Sequence, residues 1–142
     1  MAETSFRLEV VTPEKVIFDG RVTTLTLPAV DGLMGVLPNH APIVTALTVG
    51  PLVAKDTTGK DILMVVSDGF FEMANNHAKV IADAGEDAAA IDPKRAEEAE
   101  KRARERLKLS GKRDAKDIDF VRAERALMRA VWRLRVRRRY GR

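Results

Sequence analysis

The chain has no cysteine. That excludes a disulfide framework, thiolate nucleophiles and zinc–thiolate centres together. It has only two histidines: no carboxylate cluster surrounds His40 in sequence, and His77 reads as a turn residue. Nothing therefore points to a hydrolytic constellation or to a metal site. Aromatic residues make up 5% of the chain, so its core must be mostly aliphatic. No apolar run approaches the ~20 residues that a membrane-crossing helix needs. The opening MAETSFRLEV carries no signal-peptide pattern, and the chain reads as cytosolic. A phosphate-binding GxxxxGK[ST] loop is absent as well.

What is present is unevenly distributed. The net charge of +4 over 142 residues hides a split. Residues 1–87 carry 6 Lys+Arg against 12 Asp+Glu, whereas residues 88–142 carry 19 against 9. So sharp a change predicts two domains, 1–87 and 88–142, with the basic one facing an acidic partner.

The first 87 residues read as many short β-strands, at 6–12, 15–20, 22–28, 35–38, 43–47, 51–55, 61–67, 70–74 and 78–84. Asp19-Gly20, Asp31-Gly32, Thr57–Lys60, Asp68-Gly69 and Asn75-Asn76 supply turn signals between them. A sandwich or flattened barrel is expected, with 61–67 as a central strand because it is apolar on both faces. The segment DGLMGVLPNHAP (31–42) reads as a loop. Gly32 and Gly35 would permit tight bends there, while Pro38 and Pro42 stiffen the exit. His40 reads as a residue that fixes this loop. Residues 84–90 read as a linker.

The rest is helical. Asp92 suits an N-cap and Pro93 the first helical position. Ala96, Ala99, Ala103 and Leu107 form a narrow small-residue stripe, beside a second stripe of Arg95, Arg102 and Arg106. Residues 110–114 break this helix, and Asp117 would cap the next. In the second helix Phe120, Ala123, Leu127, Ala130, Val131 and Leu134 share one side. Arg122, Arg125, Arg129, Arg133 and Arg137 share the opposite side. Like charges at this spacing repel by a few tenths of a kcal/mol per pair, roughly, which favours an anionic partner over a merely solvated face. The fold class is thus α+β, mainly β: an N-terminal β-sandwich followed by an antiparallel two-helix hairpin. Alanines bury little area, so the hairpin is expected to be able to open, its folded form depending on a ligand or partner.

These segments resemble a known family. GLMGVLPNHAP (32–42) followed by IVTALTVGPL resembles the signature loop of the bacterial F-type ATP synthase epsilon subunit. FRLEVVTPEKVIFDG is similar to that family's first strands, and AIDPKRAEEAEKRARERL (90–107) and DIDFVRAERALMRAVWRL (117–134) to its two helices. The resemblance implies a non-catalytic rotor subunit of the central stalk, on the cytoplasmic face of the plasma membrane and peripheral to it. Its partners would be the gamma subunit, the c-subunit ring and the alpha and beta subunits of the catalytic head. The implied rotor contact is the loop holding Gly32, Gly35, Pro38, His40 and Pro42. The implied beta-facing stripe is Arg122, Arg125, Arg129, Arg133 and Arg137. In the family the hairpin lies compact or extended, and extended it inhibits ATP hydrolysis. Some members bind ATP as a regulatory ligand, so the resemblance implies ATP as a possible regulatory ligand here and no required cofactor. That site would here comprise Glu86, Ile91, Asp92, Arg95, Ala96, Arg102, Arg129 and Arg133. The basic tail 135–142 would strengthen attraction to an acidic partner and favour the inhibitory form.

The rival reading is a basic nucleic-acid-binding module, warranted by the charge of 88–142. Against it, the arginine stripe lacks interleaved aromatics and the β domain is acidic.

Overall fold

The computed structural model describes residues 4–110 and 117–140, with the side chains of 109–110, 117–120 and 139–140 outside that description. The chain divides into two compact units, 1–87 and 88–142.

The first unit is built from seven strands: β1 (Phe6–Val11), β2 (Val16–Ala29), β3 (Gly32–Val36), β4 (Ile43–Leu47), β5 (Gly50–Asp56), β6 (Asp61–Ala74) and β7 (His77–Asp87). Strands β1, β7, β6, β5 and β2 pair in a closed circuit, because β1 bonds to β2 as well as to β7. Among the described residues only the β1–β7 pair is parallel. The flattened barrel encloses Phe6, Leu8, Val10, Val22, Leu25, Leu27, Leu52, Val66, Phe71, Met73 and Val80, all fully buried. Each such side chain contributes ~1.5–3 kcal/mol of transfer free energy. With two phenylalanines among them, the core is aliphatic, as the composition requires.

Two of the expected turns are not turns. Asp19-Gly20 lies inside β2 and Asp68-Gly69 inside β6, so each pair of short strands is one strand of 14 residues. The reason is visible in the pairing. β6 bonds to β5 through Asp61–Val66 and to β4 through Gly69–Met73, while β7 pairs with it across the change, from Met64 to Ala74. The strand must bend where its neighbour changes, and Asp68 and Gly69 take φ of 53° and 115° there. Gly69 is obligatory, since a Cβ would stand 2.0 Å from the Ile81 carbonyl oxygen. The expected turn at Asn75-Asn76 is real, and the one expected at Asp31-Gly32 lies one residue earlier, at Val30-Asp31, with Gly32 opening β3. Asn75 and Asn76 both have positive φ, the geometry that matches strand twist in a two-residue hairpin.

The 31–42 segment also differs from expectation. Its first half is a strand, β3, paired with β2 from Val36↔Leu25 to Gly32↔Ala29. Gly32 bends the chain at φ 125°, but Gly35 is mid-strand and makes no bend. The expected linker at 84–90 is likewise mostly ordered structure. β7 runs on to Asp87, and a 3₁₀ turn occupies Ala88–Ala90.

The second unit holds α1 (Pro93–Ser110) and α2 (Asp117–Tyr140), packed along each other. Ala96 and Ala103 are buried on α1, and Ala123, Ala130, Leu134 and Val136 on α2. The alanines recur at seven-residue spacing on both helices, which lets the backbones approach closely. The expected roles of Phe120 and of Asp117 as a cap, and the loop at 111–116, lie outside the described residues and side chains.

Candidate functional site

Asp92 does what an N-cap does. Its Oδ1 accepts from the backbone N–H of Lys94 at 2.9 Å and of Arg95 at 3.4 Å, and its carbonyl accepts from Ala96 N at 3.1 Å. The cap fixes the first turn of α1, burying Ala96 and leaving Arg95 exposed. Ile91, just before the cap, is buried, and Arg102 is exposed two turns along from Arg95. Seven of the eight residues assigned to a nucleotide site therefore lie in the helical unit. Glu86 does not: it is half-buried near the end of β7.

The α2 arginine stripe is not uniform. Arg122 and Arg125 are exposed, whereas Arg129, Arg133 and Arg137 are half-buried. The Arg137 guanidinium donates to the carbonyl of Ala89 at 3.4 Å, tying the last turns of α2 to the 3₁₀ turn. Arg135 stacks over Trp132 at 5.3 Å, a contact that the sequence reading passed over. On α1, Glu100 and Arg104 form an i,i+4 ion pair at 2.9 Å.

The loop residues are held by a hub the sequence concealed. Asn76, in the β6–β7 turn, accepts from Asn39 N at 2.8 Å through its side-chain oxygen, and its amide donates to Ser5 O at 2.8 Å. Arg7 N donates to the Asn76 carbonyl at 3.2 Å. One turn residue thus pins both the 37–42 loop and the start of β1. His40 Nδ1 meets the Ala41 carbonyl at 2.7 Å; a carbonyl only accepts, so Nδ1 carries the proton. His40 N donates to Leu37 O. Gly32, Gly35 and Pro42 are exposed, and Pro38 and His40 half-buried.

Electrostatic interactions on the β unit are local. Arg7 forks onto both Asp19 oxygens at 3.1 and 3.0 Å. That hydrogen bonding holds the Asp19 carboxyl below its ordinary pKa and raises that of Arg7. Asp56 is held low by bonds from the Thr58 hydroxyl and the Lys60 amide. His77 Nε2 stands 2.6 Å from Glu9 Oε1; it lacks a well-aligned hydrogen bond, yet the carboxylate is close enough to be its partner. Among the described residues no group of three His, Asp or Glu side chains could hold a metal. No helix among them is long and apolar enough to cross a membrane.

The sequence reading also missed an apolar row on the outer face. Cross-strand registers set Ala46 beside Phe70, Phe70 beside Ile81, and Ile81 beside Val11. Phe70 is 60% exposed and Ile81 45%. Splitting β6 in two at Asp68-Gly69 hid this row, because register is continuous only in the unbroken strand.

The comparisons agree with this geometry. Residues 5–88 match the family description "ATP synthase, Delta/Epsilon chain, beta-sandwich domain", and residues 90–137 match "ATP synthase, Delta/Epsilon chain, long alpha-helix domain". A protein of Syntrophomonas wolfei named ATP synthase epsilon chain is 39% identical over 95% of this chain and 96% of its own length. Another of that name, from Desulforamulus reducens, is 44% identical over 95% of this chain and 98% of its own. Among solved structures, the Euglena gracilis mitochondrial ATP synthase assembly of OSCP, F1 and c-ring contains a chain that superposes with a TM-score of 0.79. That match covers 92% of this chain and 80% of the other at 21% identity, so it speaks for the fold alone. The nucleic-acid reading is set aside. Matched over both units, the chain belongs to the ATP synthase delta/epsilon family, as an epsilon chain: a non-catalytic subunit of the F1 sector of that complex.

Proposed function

We propose that the β unit docks in the rotor between the gamma subunit and the c-subunit ring, on the cytoplasmic face of the plasma membrane. The 88–142 hairpin is then a switch. Compact, it permits rotation; extended into the catalytic head, it blocks rotation in the hydrolysis direction, its arginines meeting acidic residues of the beta subunits. The observation that carries this reading is the seam of the hairpin. Four of its buried positions are alanines, Ala96, Ala103, Ala123 and Ala130, so little apolar area opposes opening. Docking by the β unit is supported by the exposed Phe70–Ile81 row and by the uncharged 32–42 loop.

ATP is proposed as the ligand that favours the compact form. Guanidinium forks suit phosphates, and an anion would relieve repulsion among Arg95, Arg102, Arg129 and Arg133. ATP shifts the equilibrium only by its differential affinity for the two forms. Calorimetric titration of the full chain with ATP tests this, alongside Arg129→Ala and Arg102→Ala. One-to-one binding that both variants lose is the expected result. No heat of binding to the wild-type chain removes ATP as the switch.

A further inference from the structure

Helix α2 carries two apolar rows, and the hairpin seam uses one of them. Ala123, Ala130 and Leu134 are buried in that seam. Their spacing, i, i+7, i+11, keeps them on one side of the helix. Val121, Met128 and Trp132 repeat the same spacing two positions earlier. Two positions are about 200° of helix, so the second row lies on the side of α2 turned away from the seam. Val121 is 47% exposed and Met128 41%, and Trp132 is half-buried. The outward side of a surface helix is ordinarily polar. Single exposed apolar residues need no explanation, but an aligned row does.

What surrounds the row says what covers it. Arg125 and Arg135 fall within the same side, at i+4 and i+14 from Val121, and Arg122 and Arg129 border it. The Arg135 guanidinium lies over the Trp132 ring, 5.3 Å from its centre. From Val121 to Arg138 there are seven arginines against one acidic residue, Glu124, and no Ser, Thr, Asn or Gln. The polar chemistry of this helix is therefore almost wholly guanidinium, with an apolar row running through it.

We propose that this outward face of α2 docks the chain on the surface of an anionic phospholipid bilayer. Val121, Met128 and Trp132 enter the boundary between headgroups and acyl chains. The arginine stems lie along it and hold their guanidinium groups at the lipid phosphates. An indole suits that depth, since its body is apolar and its N–H donates to the wet side. An acidic protein segment would satisfy the arginines but would set carboxylates against the apolar row. A bilayer surface supplies the anion and the apolar layer together. Because the seam is on the other side of α2, the closed hairpin binds as it stands, and the inference is independent of the switch and of ATP.

Trp132 is the only tryptophan of the chain, so its emission reports the contact directly. The full chain is mixed with vesicles of phosphatidylglycerol and phosphatidylcholine in equal parts, or of phosphatidylcholine alone. Co-sedimentation and Trp132 fluorescence are read together. Binding with a blue shift is expected on the anionic vesicles and neither on the neutral ones. Met128→Glu should lower the partition coefficient about tenfold or more. Lys101→Gln, the same change of net charge on an exposed position of α1, should stay within about twofold. Arg135→Gln should cost about fivefold. Far-ultraviolet circular dichroism checks the helices of each variant. Should Met128→Glu lose helicity, Val121→Glu at the other end of the row decides by the same criteria. No binding to the anionic vesicles overturns the proposal. Binding without a Trp132 shift places the contact elsewhere and overturns it too, as do equal losses in Met128→Glu and Lys101→Gln, which would mean diffuse charge attraction. A polyglutamate peptide that gives the same blue shift, weakened in Met128→Glu, would assign the face to an acidic protein and not to lipid.

Discussion

Ala103→Leu should prise the hairpin open without touching the β unit. Ala103 is 2% exposed on α1, one heptad beyond the fully buried Ala96, in a seam whose α2 side is lined by Ala123 and Ala130. Helices that approach over alanines leave no room for a branched four-carbon side chain. Overpacking of this kind costs ~1–3 kcal/mol. An opening equilibrium shifted by that amount multiplies the open population roughly 5- to 150-fold. Leucine is as good a helix former as the neighbouring lysines and arginines, so α1 itself should survive. The assay is amide hydrogen exchange on the full chain, with β6 and β7 as internal reference and the exposed Lys101→Leu as a control for added hydrophobicity. Exchange should quicken across 93–138 in Ala103→Leu alone. In reconstituted synthase the same variant should hydrolyse ATP more slowly, because an opened hairpin reaches the head more often. Unchanged exchange across 93–138 would mean that the seam is not close-packed, and the reasoning from alanine spacing would be wrong.

Three further outcomes follow from particular contacts. Asp92→Ala should cost about 1 kcal/mol of helical stability by thermal circular dichroism, whereas Asp92→Asn, which still accepts from the Lys94 and Arg95 amides, should cost little. Losing ATP binding in both variants at unchanged helicity would separate a ligand role from the cap. Gly69→Ala should destabilise the β unit by at least ~3 kcal/mol in urea unfolding, since φ is left-handed and the Ile81 carbonyl blocks the Cβ; a near-neutral result would require β6 and β7 to part there at no cost. Acid should weaken the fold through Asp19 and Asp56. Both are held below the ordinary carboxylate pKa, so they bind fewer protons folded than unfolded. Their contribution is whole above about pH 4, the unfolded value, and fades as pH falls through the lower folded values. Arg7→Gln should flatten the part of that profile due to Asp19, and a profile unchanged by it would deny the Arg7–Asp19 coupling.

The β unit was legible in outline because its period-two patterns and hairpin residues are local. Its errors were local too. An Asp-Gly pair looks the same in sequence whether it lies at the end of a hairpin turn, as at Asp31-Gly32, or bends a continuous strand, as at Asp68-Gly69. Which of these occurs depends on strands far away in the chain, here on β4 replacing β5 as the neighbour of β6. Gly35 shows the same limit from the other side. A glycine beside prolines reads as a bend, and only the pairing of β3 with β2 reveals it as strand. The helices read more easily, since the cap at Asp92 and the alanine spacing are encoded within a few residues.

The basic surface was legible as composition but not as arrangement, and the difference bears on mechanism. An evenly spaced stripe of five arginines suggests one anionic partner along the whole of α2. The structure divides the stripe, leaving Arg122 and Arg125 exposed while Arg129, Arg133 and Arg137 are half-buried. Arg137 is bonded back to Ala89, beside the start of the helical unit. In this hairpin the later arginines are therefore partly withdrawn from solvent, and extension would have to release them. The tail can then act in two opposed ways. Its charge would favour an acidic partner once the hairpin is open, while Arg137 and the buried Val136 hold the last turns of α2 in place while it is closed. Cutting at 135 removes both effects together. Neutralising the exposed Arg138 alone leaves the Arg137–Ala89 contact and Val136 intact, and Val136→Ala leaves every charge. The pair of substitutions, not the truncation, separates holding from attraction.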